Sequence, residues 1–190
     1  MKGELFLGHG GCSGEIGHVT IVPDGPICVC GKRGCLEGLA STIAIRERVL
    51  SLIEADKANS LVSLFDGQQS NLTMQQIVDA ANANDPTVLG VFLEASRYIG
   101  LAISGIVNLL NPELIILGPL VQQVPVLFLE SICEVVKQNS FDMNHKNIKI
   151  VPTKLGTQAV AIGSAALLLE QNLRKMQSSV SFTEDLLISD

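Results

Sequence analysis

His18, Cys28, Cys30 and Cys35 follow one another with the spacing His-x9-Cys-x-Cys-x4-Cys, and no other feature of the sequence so narrows what the chain can fold into. Gly31 and Gly34 lie inside the run and supply the tight turns needed to wrap three thiolates round one ion. Three sulfurs and one imidazole nitrogen complete a tetrahedral shell with no position left for water, so the set reads as structural zinc (Zn2+) and not as catalytic zinc. The alternative is that these are ordinary buried cysteines beside an unrelated histidine. The chain holds five cysteines among 190 residues, an odd number with three of them close together. That does not suit a disulfide framework, and a reducing compartment is expected. Cys12 and Cys133 fall outside the pattern and read as core or loop residues. His9 and His145 are isolated, and Lys32 with Arg33 reads as the solvated tip of the cysteine loop.

Two carboxylates flank the same run. Glu15 lies three residues before His18, in Ser13-Gly14-Glu15-Ile16-Gly17-His18, and Glu37 lies two residues after Cys35. Metal binding would draw both toward one spot with the imidazole between them. Carboxylates and an imidazole converging beside a glycine-rich loop form an acceptor set for the hydroxyls of a sugar. Equally, Glu15 could cap a loop and Glu37 could open a helix, where the dipole favours a negative charge. The residues alone leave these two readings level.

The remainder of the chain reads as an α/β domain. Apolar residues make up 47% and charged residues 17%, which supports a large buried interior and excludes disorder. A net charge of −6 excludes a basic nucleic-acid-binding module as the main content. With no Trp and one Tyr, a stacking platform for single strands is also excluded. Leu5–Leu7 and His18–Val22 read as short strands joined by the glycine loop Gly8–Gly14. A helix is expected from Leu36 to about Ala55, then a polar break through Asp66, Gly67 and Asn71. Thr73 with Gln76 forms a capping-box signature. Asp85-Pro86 opens, and Asn111-Pro112 closes, a long apolar helix whose Glu94, Arg97, Ser104 and Asn108 argue for a core element rather than a membrane span. Leu114–Leu117 reads as a strand buried on both faces. A helix near Pro125–Gln138, a strand at Ile148–Val151 and a helix from Gln158 to Met176 follow, which gives a partly parallel sheet flanked by helices. The N-terminal residues do not resemble a secretory signal, so the expected compartment is the cytoplasm.

Gly8-His9-Gly10-Gly11-Cys12-Ser13-Gly14-Glu15-Ile16-Gly17-His18, followed by Cys28-Val29-Cys30-Gly31-Lys32-Arg33-Gly34-Cys35-Leu36-Glu37, closely resembles the paired signatures of the ROK family (repressors, open reading frames and sugar kinases). The resemblance continues through Val107–Gly118 and nearly to the C-terminus. It implies an actin-like, ribonuclease-H-like α/β fold, with residues 1–177 as a sugar-binding and oligomerisation domain of C-terminal type (zinc loop 18–37) and residues 178–190 as a tail. It also implies that Glu15, His18 and Glu37 bind sugar hydroxyls while His18, Cys28, Cys30 and Cys35 hold zinc.

Two departures from the family pattern bear on function. A family kinase needs an Asp-x-Gly-Gly-Thr phosphate loop and an aspartate general base ahead of the glycine loop, and this chain contains neither; no catalytic residue is therefore assigned. Where kinases of the family carry glycines after the buried strand, Gly118-Pro119-Leu120-Val121 resembles the repressor branch, of the Mlc-type glucose repressor and N-acetylglucosamine repressor kind. The expectation is the effector half of a sugar-responsive repressor, incomplete at its N-terminus and reaching DNA only through a preceding helix-turn-helix domain. Its expected partners are a sugar or amino-sugar inducer, a second copy of itself in a homodimer or tetramer, and a sugar-transport protein. The alternative is the C-terminal half of an ATP-dependent sugar kinase for glucose or an N-acetylhexosamine.

Overall fold

The computed structural model of the chain describes residues 4–55, 72–145 and 148–185, in two compact units, one formed by residues up to 115 with 123–150 and the other by residues 116–122 with those from 151 onward. The expected polar break at Asp66, Gly67 and Asn71 and the terminal Leu186, Leu187 and Ile188 lie outside the described residues.

In the first unit the order is a 3-10 turn at Ile16–His18, then α1 (Leu36–Ala40), α2 (Thr42–Ala55), α3 (Met74–Asn82), α4 (Pro86–Leu110), α5 (Val126–Asn139) and the short α6 (Asp142–His145). Its centre is α4. Both its ends follow from local chemistry. The Asp85 carboxylate accepts the Thr87 and Val88 amides at 3.0 Å each, ahead of Pro86 at the first helical position. At the other end Asn111 adopts a left-handed φ of 44° and returns its amide to Val107. Thr73 and Gln76 close the capping box of α3 as the sequence predicts.

Helix α4 buries Val88, Phe92, Ala95, Ile103 and Val107 and packs along α5, which contributes Phe128, Ile132 and Val136. Phe92 and Phe128 meet edge to face with ring centroids 5.7 Å apart. The Ser96 hydroxyl donates to Ser131 across the same seam at 2.7 Å. Although α4 is long and apolar enough to cross a membrane, it is the core helix of this unit: α1, α2, α3 and α5 all pack on it. Ile45, Val49 and Ile53 of α2 and Ile77 and Val78 of α3 complete the interior.

Strands β1 (Leu114–Leu117) and β2 (Lys149–Pro152) pair in a two-stranded sheet, the first half of each belonging to the first unit and the second half to the other. The Lys149 amide donates to Glu113 O at 3.0 Å and the Thr153 amide to Leu117 O at 2.8 Å; the same offset at both ends makes the pair parallel. The second unit adds 3-10 turns at Pro119–Gln122 and Gly156–Gln158 and a long helix, α7 (Ala159–Asp185).

Five expectations change. Leu5–Leu7 forms no strand, and His18–Val22 is a 3-10 turn followed by a single antiparallel bridge from Thr20 to Cys35, because among the described residues neither segment has a full neighbouring strand to pair with. The helix expected over 36–55 breaks at Ser41, whose hydroxyl accepts the Ala44 amide at 3.1 Å and caps α2. Strand β1 is not buried on both faces: Leu114 and Ile116 are exposed, since two strands alone cover little of one another. Finally, α7 runs past Met176 to Asp185, as its last residues contain neither glycine nor proline to stop it.

The tightest point of the core seam is Gly100, where an added Cβ would stand 2.6 Å from Val135 Cβ and 3.2 Å from Ile132 O. Gly105, one and a half turns on, faces open space. Gly100→Val should therefore lower stability by about 1–3 kcal/mol through overpacking, whereas Gly105→Ala should raise it by about 0.5–1 kcal/mol through helix propensity. Urea denaturation midpoints of the two variants moving in the same direction would contradict this placement of α4 on α5.

Candidate metal centre

The loop from His18 to Glu37 is folded by backbone hydrogen bonds that turn its ligating side chains inward. His18 closes the 3-10 turn, its amide donating to Glu15 O at 3.1 Å. The Ile21 and Val22 amides both donate to Gly34 O, at 2.8 and 3.2 Å, and Leu36 N donates to Val19 O at 2.9 Å. Between these, Cys28 N donates to Lys32 O and Gly31 N to Cys28 O, at 2.8 and 2.9 Å, forming the tight turn that carries Cys28 and Cys30. Gly31 and Gly34 have φ of 83° and 69°, a region in which a side chain is strained. At Gly34 a Cβ would also fall 1.5 Å from Val22 O, so no other residue fits.

The result brings one donor atom from each of His18, Cys28, Cys30 and Cys35 within 4.8 Å of one another. Cys28 Sγ lies 3.6 Å from His18 Nδ1, and Cys30 Sγ lies 3.6 Å from Cys35 Sγ. Round a tetrahedral ion with metal–sulfur bonds of about 2.3 Å, neighbouring donors stand about 3.7 Å apart, so the spacing fits a single divalent cation. Cys28 and Cys35 are buried and Cys30 is exposed. The Lys32 amide beside Cys30 holds its thiol below the ordinary value. Burial pushes Cys35 up to about 11, with the adjacent Cys30 and Cys28 sulfurs adding to the effect. Three sulfurs this close resist joint ionisation unless a cation sits among them, and a four-donor shell leaves such an ion a structural role.

The carboxylates converge as well. Glu37 Oε2 lies 3.6 Å from His18 Nδ1 and accepts the Cys28 thiol at 3.5 Å, while Glu15 Oε2 lies 3.9 Å from His18 Nε2. Glu15 and Glu37 thus stand toward opposite nitrogens of one imidazole. Glu15 makes no side-chain capping hydrogen bond to the 3-10 turn that follows it. Glu37 does open α1, and it remains close to His18 while doing so. The glycine loop is tied back on itself by Ser13, whose hydroxyl donates to Phe6 O and whose amide donates to Leu7 O at 3.2 Å.

Cys12 and Cys133 lie outside the cluster, Cys12 exposed and Cys133 half-buried with its thiol raised by burial. Arg33 is not simply solvated, since its guanidinium donates to Gly25 O at 3.4 Å and braces the loop. One feature escaped sequence reasoning: a cleft of about 420 Å³ lined by Ile27, Val29, Glu37, Ile43 and Glu47. Its signal is the apolar pair Ile27 and Val29 on either side of Cys28, both strongly exposed.

Comparison with known proteins places this geometry. The chain is 32% identical over 173 residues to the xylose repressor of Caldicellulosiruptor bescii, covering 91% of this chain and 43% of that protein. A crystal structure of a ROK family transcriptional regulator, homologous to the E. coli MLC protein, superposes with a TM-score of 0.66 at 34% identity over 74% of this chain and 34% of that one. A ROK family glucokinase from Streptomyces griseus, in complex with glucose and AMPPNP, superposes with a TM-score of 0.71 at 28% identity over 83% of this chain and 51% of that one. The chain thus spans less than half the length of the repressor it matches and about half that of the kinase. Relatives include both repressors and kinases, and the family's sequence profile matches residues 1–171. The chain belongs to the ROK family.

Proposed function

We propose that the chain is the sugar-sensing and oligomerisation part of a ROK transcriptional regulator of sugar metabolism, with Glu15, His18 and Glu37 binding sugar hydroxyls and a structural Zn2+ held by His18, Cys28, Cys30 and Cys35. The observation that carries the reading is the convergence of both carboxylates on the two nitrogens of His18, at 3.9 and 3.6 Å. With Nδ1 turned toward the cysteines, Nε2 and the Glu15 carboxylate face outward, where a polyol would find one nitrogen and several oxygens on one surface. When bound, zinc supplies charge that keeps the three thiolates ionised and the loop closed.

In the intact regulator the sugar or amino sugar acts by population shift: it binds one arrangement of the protein better and so changes affinity for DNA, which is reached through a helix-turn-helix domain. A second copy of the chain and a sugar-transport protein are the remaining partners, in the cytoplasm. The kinase reading draws on the similarity to the Streptomyces glucokinase. Against it stands Pro119, which opens the 3-10 turn Pro119–Gln122 where proline lacks the backbone donor that a nucleotide phosphate would use.

Three outcomes are expected. Purified protein should carry about one equivalent of zinc by elemental analysis, and its removal by a strong chelator should unfold the 18–37 loop and markedly lower the thermal midpoint; protein that is metal-free yet fully stable would overturn the metal assignment. In NMR titrations of the zinc-loaded chain with xylose, glucose and N-acetylglucosamine, at least one sugar should shift the resonances of Glu15, His18 and Glu37. Glu37→Gln should weaken that binding about 10- to 100-fold, the worth of a hydrogen bond to a charged group. Equal binding by wild type and variant would remove Glu37 from the site. In a coupled assay with ATP and the same sugars the chain should show no turnover, and sugar-dependent turnover that disappears in Glu37→Gln would favour the kinase reading.

A further inference from the structure

The donors of the metal centre are unequally protected. Cys28 and Cys35 are buried, at 4% and 0% exposure, whereas Cys30 lies at the surface. They are also unequally paired. Cys30 Sγ and Cys35 Sγ are 3.6 Å apart, while Cys28 Sγ is turned to His18 Nδ1 at 3.6 Å and Glu37 Oε2 at 3.5 Å. The segment joining Cys30 to Cys35 holds two glycines in left-handed conformations, Gly31 and Gly34, and is linked to the rest of the loop by antiparallel bridges from Ile27 to Arg33 and from Thr20 to Cys35.

We propose that Cys30 and Cys35 form an oxidisable pair through which a peroxide disassembles the metal centre. The release part of the proposal rests on the zinc reading above; the pairing rests on the sulfur geometry alone. Cys30, the exposed residue among the three cysteines, attacks the peroxide: a sulfur–oxygen bond forms, the oxygen–oxygen bond breaks, and the departing hydroxide takes a proton to leave as water. The Cys35 sulfur then attacks the sulfenic sulfur of Cys30. A sulfur–sulfur bond forms, the sulfur–oxygen bond breaks, and the second hydroxide leaves as water with a second proton. Two thiols are oxidised by two electrons and one peroxide is reduced to two waters, while the zinc ion keeps its charge. Closing 3.6 Å to a disulfide length of about 2.05 Å draws two of the four donors off the ion. Cys28 and His18 are then too few to retain it. Glu37 contacts both remaining donors, so the change reaches the carboxylate of the neighbouring site.

The test uses the whole chain, purified under reducing conditions with its zinc content measured first. Stoichiometric hydrogen peroxide should release about one equivalent of zinc, read with a chromogenic chelator, together with a mass loss corresponding to two hydrogens. Trypsin cuts after Lys32 and Arg33, so the disulfide should join the peptide ending at Lys32 to the peptide Gly34–Arg46, with fragmentation placing the link at Cys30. Dithiothreitol with added zinc should restore the starting state. Cys12→Ser should leave release unchanged, and Cys30→Ser should abolish the link to Cys35. Zinc retained through peroxide treatment, or a disulfide that uses Cys28 or Cys12, would overturn the proposal. Reduced protein without zinc would overturn the zinc reading and the release with it, while the peptide map of that same protein still decides the pairing.

Discussion

Three sulfur atoms and an imidazole held within 4.8 Å of one another constitute the constraint on which the rest of the site depends. Burial raises the proton affinity of Cys35, the nearby sulfurs oppose its ionisation, and a cation among them reverses both effects. The positions of the carboxylates follow from this cluster. Glu15 is three residues from His18 and Glu37 two residues from Cys35, so neither carboxylate can stray far from the cluster. The helices of the first unit then receive a loop whose geometry is already set: α1 begins immediately after Cys35 and packs on α4.

The same logic explains why the cluster of donors was legible in the sequence. Ligand type, spacing and the two turn glycines are local properties, and each of them fixes geometry with little help from distant residues. Helix ends were legible for the same reason: the Asp85-Pro86 start, the Thr73–Gln76 box and the Asn111-Pro112 stop are each written in a few adjacent residues. The family resemblance, carried by the glycine loop and the cysteine run, tips what spacing alone leaves level, and the sugar-site role proposed for the two carboxylates rests on it.

Where the reading went astray, the deciding partner was not local. Leu5–Leu7 has strand-forming residues, yet a strand exists only against a neighbour, and among the described residues it has none. Leu114–Leu117 reads as fully buried because its residues are all apolar, while its actual cover is β2 and little else. At Ser41 the deciding signal is local. A serine followed by Thr42 within an amphipathic run is a cap as much as a surface residue, and it divides what periodicity shows as one helix.

All four ligands lie between residues 18 and 35, and the hydrogen bonds that shape the loop run from Val19 to Leu36 at their widest. Loop closure over so short a span has a small entropic cost that grows only slowly with length. The α4–α5 seam, by contrast, joins Phe92 to Phe128 and Ser96 to Ser131 and must bring distant parts of the chain together. In the order of assembly the loop is therefore the fast, low-contact-order element. During synthesis residues 18–35 emerge before the helices that follow them, so the loop is a local, early folding task and the helices are the later arrivals that pack against it.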